Sequence, residues 1–83
     1  MRLNLKDKAK ALEPIVRIGK AGITDGIVQE IKKLLKARKL IKVKFLRAAL
    51  ETKNKKELVN ELVEKTGAEL VEAVGFIAVL YKR

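Results

Sequence analysis

The sequence predicts one α/β domain of the α+β two-layer type, in the order α-β-α-β-α-β-β, with a four-stranded mixed sheet and three helices. Three observations carry this. At 83 residues the chain has room for one modest core, so residues 1–83 form a single domain. Apolar residues recur at helical spacing in three segments, and four short segments read as strands. Strand–helix–strand units of this length favour parallel pairing with a right-handed crossover, and the two closing strands, joined at a glycine, run antiparallel.

Residues 4–12 read as a short helix. Asn4 is its candidate N-cap with Asp7 near N3, and Leu5, Ala9 and Leu12 share one face. Pro14, the single proline, ends the element. "IVRI" (15–18) is a β-branched run and hence a strand. Residues 24–38 form the best helix: Thr24 can cap it, and Ile27, Ile31, Leu34 and Leu35 make one apolar stripe. "LIKVKFL" (40–46) alternates, with Ile41, Val43 and Phe45 on one face and Lys42 and Lys44 on the other. Residues 47–53 read as a connection. Asn54 with Glu57 makes a capping pair for a helix that carries Leu58, Val59, Leu62 and Val63 and ends at Gly67. Residues 69–74 and 76–81 are strands, and Gly75 between them marks either a tight hairpin or a bulge. "FIAVLY" is apolar throughout, so both faces of the last strand need cover, to which the first helix can contribute.

The charge is +10, and it is unevenly placed. Residues 14–50 hold ten basic residues against two acids, whereas residues 51–83 hold six of each. A field of this kind attracts polyanions. The chain has no His, Cys, Ser or Trp. Nucleophilic, general-base and zinc chemistry lean on the first three, so no catalytic residue, metal or cofactor is expected. The first ten residues lack the apolar run of a secretory signal, and no segment is long and apolar enough for a membrane helix. A cytoplasmic protein is expected, with no membrane partner and no small-molecule substrate.

"VRIGKAGITDGI" (16–27) is the motif that the composition makes interesting. Gly19, Lys20, Ala21 and Gly22 join the first strand to the basic segment's helix. Helix N-termini expose unpaired N–H groups, glycines leave backbone bare, and lysine adds a mobile positive charge. A GxxG loop that clamps a nucleic-acid backbone is one reading. A plain turn, with glycines meeting positive φ, is the other. The Walker and dinucleotide fingerprints do not fit. Thr24, at the start of the 24–38 helix, is a candidate to hold the backbone together with the loop, and Arg17, Lys42 and Lys44 are the candidates that extend the basic surface. Phe76 and Tyr81 read as core or sheet residues.

"PIVRIGKAGITDGIVQEIKKLL", "LIKVKF", "ELVNELVEKTGAELVEAVG" and the terminal "VLYKR" together resemble the CRM domain (chloroplast RNA splicing and ribosome maturation) in its stand-alone YhbY-like form. The resemblance implies a fold related to the C-terminal domain of translation initiation factor three. It implies RNA binding through Gly19–Gly22 and nearby basic residues. It also implies ribosomal RNA, in a large-subunit precursor, as the partner; a monomer is expected. A protein-interaction module docking on a ribosomal or RNA-processing partner is the alternative.

Overall fold

The computed structural model describes residues 3–83, with the side chains of Leu3, Asn4 and Lys6 outside the described part. Its elements are α1 (Leu3–Lys10), β1 (Val16–Ile18), α2 (Asp25–Arg38), β2 (Leu40–Phe45), α3 (Arg47–Leu50), α4 (Lys55–Thr66), β3 (Glu69–Val74) and β4 (Ile77–Tyr81). Seven of these follow the order expected from the sequence. The eighth, α3, is a single turn where a plain connection was expected. Its one buried residue, Ala49, drops into the core, and so short a run carries no periodicity that a sequence could reveal. Asn4 lies inside α1 rather than capping it, and α1 ends at Lys10, where Ala11 and Leu12 tighten into i→i+3 hydrogen bonds.

The four strands form one mixed sheet in the order β1-β2-β4-β3. β1 pairs parallel with β2, as the crossover through α2 requires. β4 is antiparallel to both β2 and β3 and lies between them. The β3–β4 connection is the tight hairpin: Gly75 has φ +57° and Phe76 follows it. A glycine with positive φ at the first of two turn positions is the pattern of a type II′ hairpin. A bulge exists as well, but at Val71, where the register shifts between Leu70 and Glu72.

The main core lies between one face of the sheet and α2, α3 and α4. Ile18, Ile41, Val43, Phe45, Ala78 and Leu80 supply the sheet side, and Ile31, Leu35, Leu58 and Leu62 supply the helices. Side chains alternate along the strands, so the opposite face carries Arg17, Lys42, Lys44 and Val79. There α1 packs across β2 and β3, Ala9 is buried, and Val79 is 3% exposed. α1 thus adds a short third layer to the two-layer body, which is why β4 is apolar on both faces.

The helix ends follow the expected chemistry. Asn54 Oδ1 accepts the Glu57 N–H at 2.9 Å, and Gly67 closes α4 in the left-handed region with its N–H on the Val63 carbonyl. Thr66, buried in the last turn, donates to the Leu62 carbonyl and accepts from the Ala68 N–H, so its hydroxyl is satisfied. Lys65 and Lys53 both bind Glu61, at 2.9 and 3.0 Å, and hold its carboxyl below the ordinary carboxylate range. α2 ends differently. Lys39 takes φ +69° with ψ −36°, a sparsely populated positive-φ conformation that costs a non-glycine residue roughly 1–3 kcal/mol.

Phe45 is fully buried at the centre of the core. Phe45→Ala is therefore expected to cost about 3–5 kcal/mol in a denaturant titration. A loss below about 1 kcal/mol would show that the main core does not depend on this ring.

Candidate functional site

The Gly19–Gly22 stretch is a closed β-turn. The Gly22 N–H donates to the Gly19 carbonyl at 2.9 Å, which leaves Lys20 and Ala21 at the two exposed corners. The two glycines differ. Gly22 has φ +73°, which a side chain would strain, although a Cβ there would meet nothing within 4 Å. Gly19 has no positive φ, and a Cβ there would make only an ordinary contact, 3.7 Å from Leu46 Cδ1. The plain-turn reading thus accounts for Gly22 but not for Gly19. Folding alone would tolerate a side chain at Gly19, and its absence leaves bare backbone on the turn.

The turn feeds α2 through Ile23 and Thr24. Thr24 Oγ1 accepts the Ile27 N–H at 3.2 Å, and the Thr24 carbonyl accepts the Val28 N–H at 2.9 Å. The N–H groups of Asp25 and Gly26 have no acceptor within the helix. Asp25 puts its own negative charge in this first turn and so partly compensates the helix dipole. Thr24 thus serves the helix directly as its cap, whereas Lys20 stands exposed on the turn before it.

Arg17 and Lys44 are cross-strand partners on the α1 side of the sheet. Like charges directly opposite each other destabilise a sheet, so the fold gains nothing from this pair. Both sit one residue before the row of Ile18 and Phe45 that ends β1 and β2, next to the turn. Lys42 shares their face but not their place. Its carbonyl accepts the Ile15 N–H at 3.2 Å, towards the start of β1, and three residues of strand put it about 10 Å from Phe45. There it lines a cleft of about 260 Å³ with Leu12, Arg38 and Leu40. Lys32, Lys33 and Lys36 are exposed on α2.

The ion pairs shown among the described residues are Lys10–Asp7, Lys53–Glu61 and Lys65–Glu61, all outside residues 14–50. The basic segment keeps its charge unneutralised by side-chain partners in the described structure. No group of His, Cys, Asp or Glu among the described residues could hold a metal ion, and no helix among them is long and apolar enough to cross a membrane. Phe76 departs from the sequence reading. It is 47% exposed in the hairpin turn rather than part of the core, whereas Tyr81 is half-buried in β4. The signal available beforehand was its position after Gly75, since such turn corners ordinarily carry Gly, Asn, Asp or Ser.

A family model for the CRS1/YhbY (CRM) domain matches residues 1–82. The chain belongs to this family. The CRM domain here is 40% identical over 78 residues to Bacillus subtilis YqeI, which carries the name of a probable RNA-binding protein; the match covers 94% of this chain and 79% of that one. It is 41% identical over 78 residues to a Haemophilus influenzae protein named as RNA-binding, covering 94% and 77% of the two chains. Its fold is similar to the solution structure of a hypothetical protein from Staphylococcus aureus, with a TM-score of 0.80, 36% identity, and coverage of 99% and 83%.

The contrast between the two turn glycines is measurable within this CRM domain. Gly22→Ala is expected to cost about 1–2 kcal/mol by forcing a side chain into the left-handed region. Gly19→Ala is expected to leave stability unchanged or raise it by up to about 1 kcal/mol. Equal destabilisation by both, in thermal melts, would make Gly19 a structural glycine after all.

Proposed function

We propose that this CRM domain is a non-enzymatic RNA-binding module whose Gly19–Gly22 turn holds a phosphate of the RNA backbone. The single observation that carries the reading is Gly19, a glycine that neither backbone conformation nor crowding demands. Lys20 at the exposed corner supplies the charge, and Arg17 and Lys44 extend it across the adjoining sheet face. Lys42 belongs to a second contact farther along β2. The names of the relatives support RNA as the polyanion. Recognition is mainly by charge and shape, because few side chains near the turn suit base-edge readout. The target within this reading is structured ribosomal RNA in a large-subunit precursor, as the family resemblance implies, and the domain meets it as a cytoplasmic monomer.

A second reading has one observation in its favour. Leu70 and Val74 on β3 are 42% and 62% exposed, and a groove of about 440 Å³ runs between β3 and α4. Such a surface suits a protein partner. The Val71 bulge and the charge of Glu72 blunt this edge against further strand pairing. Salt separates the two readings: binding through several phosphates weakens linearly in log affinity against log salt, and apolar docking does not.

Changing Lys20 and Ala21 both to Asp turns the tip from +1 to −2 and keeps both glycines. The double variant is expected to melt near the wild-type temperature, because an acid near a helix N-terminus is mildly favourable. It is expected to bind RNA at least tenfold more weakly at moderate salt, equivalent to about 1.4 kcal/mol. Wild-type affinity in the folded variant would reject the clamp. Replacing Lys42 and Lys44 together with Gln is expected to flatten the salt slope by about one unit for each phosphate that the variant no longer neutralises, with little effect on folding. An unchanged slope would place the RNA elsewhere.

A further inference from the structure

The end of the sheet where the turn leaves β1 carries more than charge. Ile18, Phe45 and Phe76 stand in one row across three adjacent chain segments. The Leu46 N–H donates to the Ile18 carbonyl at 2.8 Å, and the Phe45 N–H donates to the Phe76 carbonyl at 2.7 Å. Two strand spacings, about 10 Å, therefore separate the start of the Gly19–Gly22 turn from Phe76. Leu46 stands between them. It is 38% exposed, and its Cδ1 is the atom that a Cβ on Gly19 would meet. The three aromatic residues divide cleanly: Phe45 is fully buried, Tyr81 is half-buried, and Phe76 is the exposed one. An exposed phenyl ring at a turn corner contributes little to the core and costs apolar exposure. Its backbone carbonyl makes the same hydrogen bond whatever the side chain.

We propose that Phe76, flanked by Leu46, is a platform on which one unpaired nucleobase stacks beside the phosphate held by the Gly19–Gly22 turn. This rests on the RNA-clamp reading and adds a ligand to it: an unpaired base of RNA, rather than backbone alone. Aromatic stacking tolerates any base, because every base has a π-face. It gives the domain a preference for unpaired over fully paired RNA that phosphate contacts cannot supply. The occupant is a nucleobase rather than a protein side chain because Phe76 lies at the same end of the sheet as the turn that carries exposed Lys20, one row beyond the Arg17–Lys44 pair, and this charge suits a polyanion.

The chain has no tryptophan, so Phe76→Trp installs a lone tryptophan at the platform, which red-edge excitation reads without Tyr81. Its emission is expected to be quenched by a short single-stranded oligouridylate and not by inorganic polyphosphate, which offers charge without bases. Phe76→Ala is expected to weaken oligouridylate binding about five- to hundredfold, from the usual range for one stacked base. Binding of a fully paired RNA duplex should stay within twofold. Phe76→Leu, which keeps the apolar bulk but not the ring, should bind like Phe76→Ala. Binding without quenching, wild-type affinity in Phe76→Ala, or rescue by Phe76→Leu would each overturn the platform. So would a wild-type dimer that Phe76→Ala dissociates with no change in RNA affinity, since the ring would then serve a second copy. Quenching that persists when Lys20 and Ala21 are both changed to Asp, at unchanged affinity, would keep the platform and reject the clamp. A wild-type protein with no affinity for either RNA would reject both.

Discussion

The parallel pairing of β1 with β2 is the constraint on which the rest of the arrangement depends. β1 is only three residues long and lies at the sheet edge, and α2 must cross over to bring the chain back alongside it. Parallel strands end at the same side. The Gly19–Gly22 turn and Leu46 therefore emerge together, joined by the Leu46–Ile18 hydrogen bond. Because β4 is antiparallel to β2, the β3–β4 turn arrives at that same end and delivers Phe76. A glycine turn, a cluster of charge and an exposed ring, distant in sequence, are thus made neighbours by one backbone topology.

That end of the sheet devotes little of its chemistry to folding. The Arg17–Lys44 pair opposes like charges, Gly19 lacks a side chain that the backbone would accept, and Phe76 leaves a ring in water. Each is mildly unfavourable or neutral for stability. Elsewhere side chains are spent on holding the fold together. Lys82 reaches the Thr66 carbonyl at the end of α4, and Glu61 is held by two lysines. Local departures from what folding favours, gathered at one place, are what the proposed site rests on.

Much of this was legible in the sequence, for identifiable reasons. Strong periodicity located α2 and α4, and Thr24, Asn54 and Gly67 fixed their ends, because capping chemistry is local. Alternation in "LIKVKF" put Ile41, Val43 and Phe45 inside and Lys42 and Lys44 opposite. The features that escaped are set by tertiary structure. A single turn such as α3 has no period, and the Val71 bulge depends on pairing with β4. The grouping of candidates escaped for the same reason. Strand register places Lys44 beside Arg17 and leaves Lys42 farther from the turn, and only the hairpin geometry shows that Phe76 is exposed at the turn's end of the sheet.

If the bare backbone of the Gly19–Gly22 turn is where RNA is held, its own amides must sense the ligand. Amide chemical-shift mapping tests this residue by residue: a single-stranded oligoribonucleotide is titrated into ¹⁵N-labelled protein at low salt. The amides of Gly19, Lys20, Ala21 and Gly22 are predicted to move most, and the shifts to recede together as salt is raised. Shifts centred on the α4–β3 groove around Val59 and Leu70, with the turn amides unmoved, would contradict it.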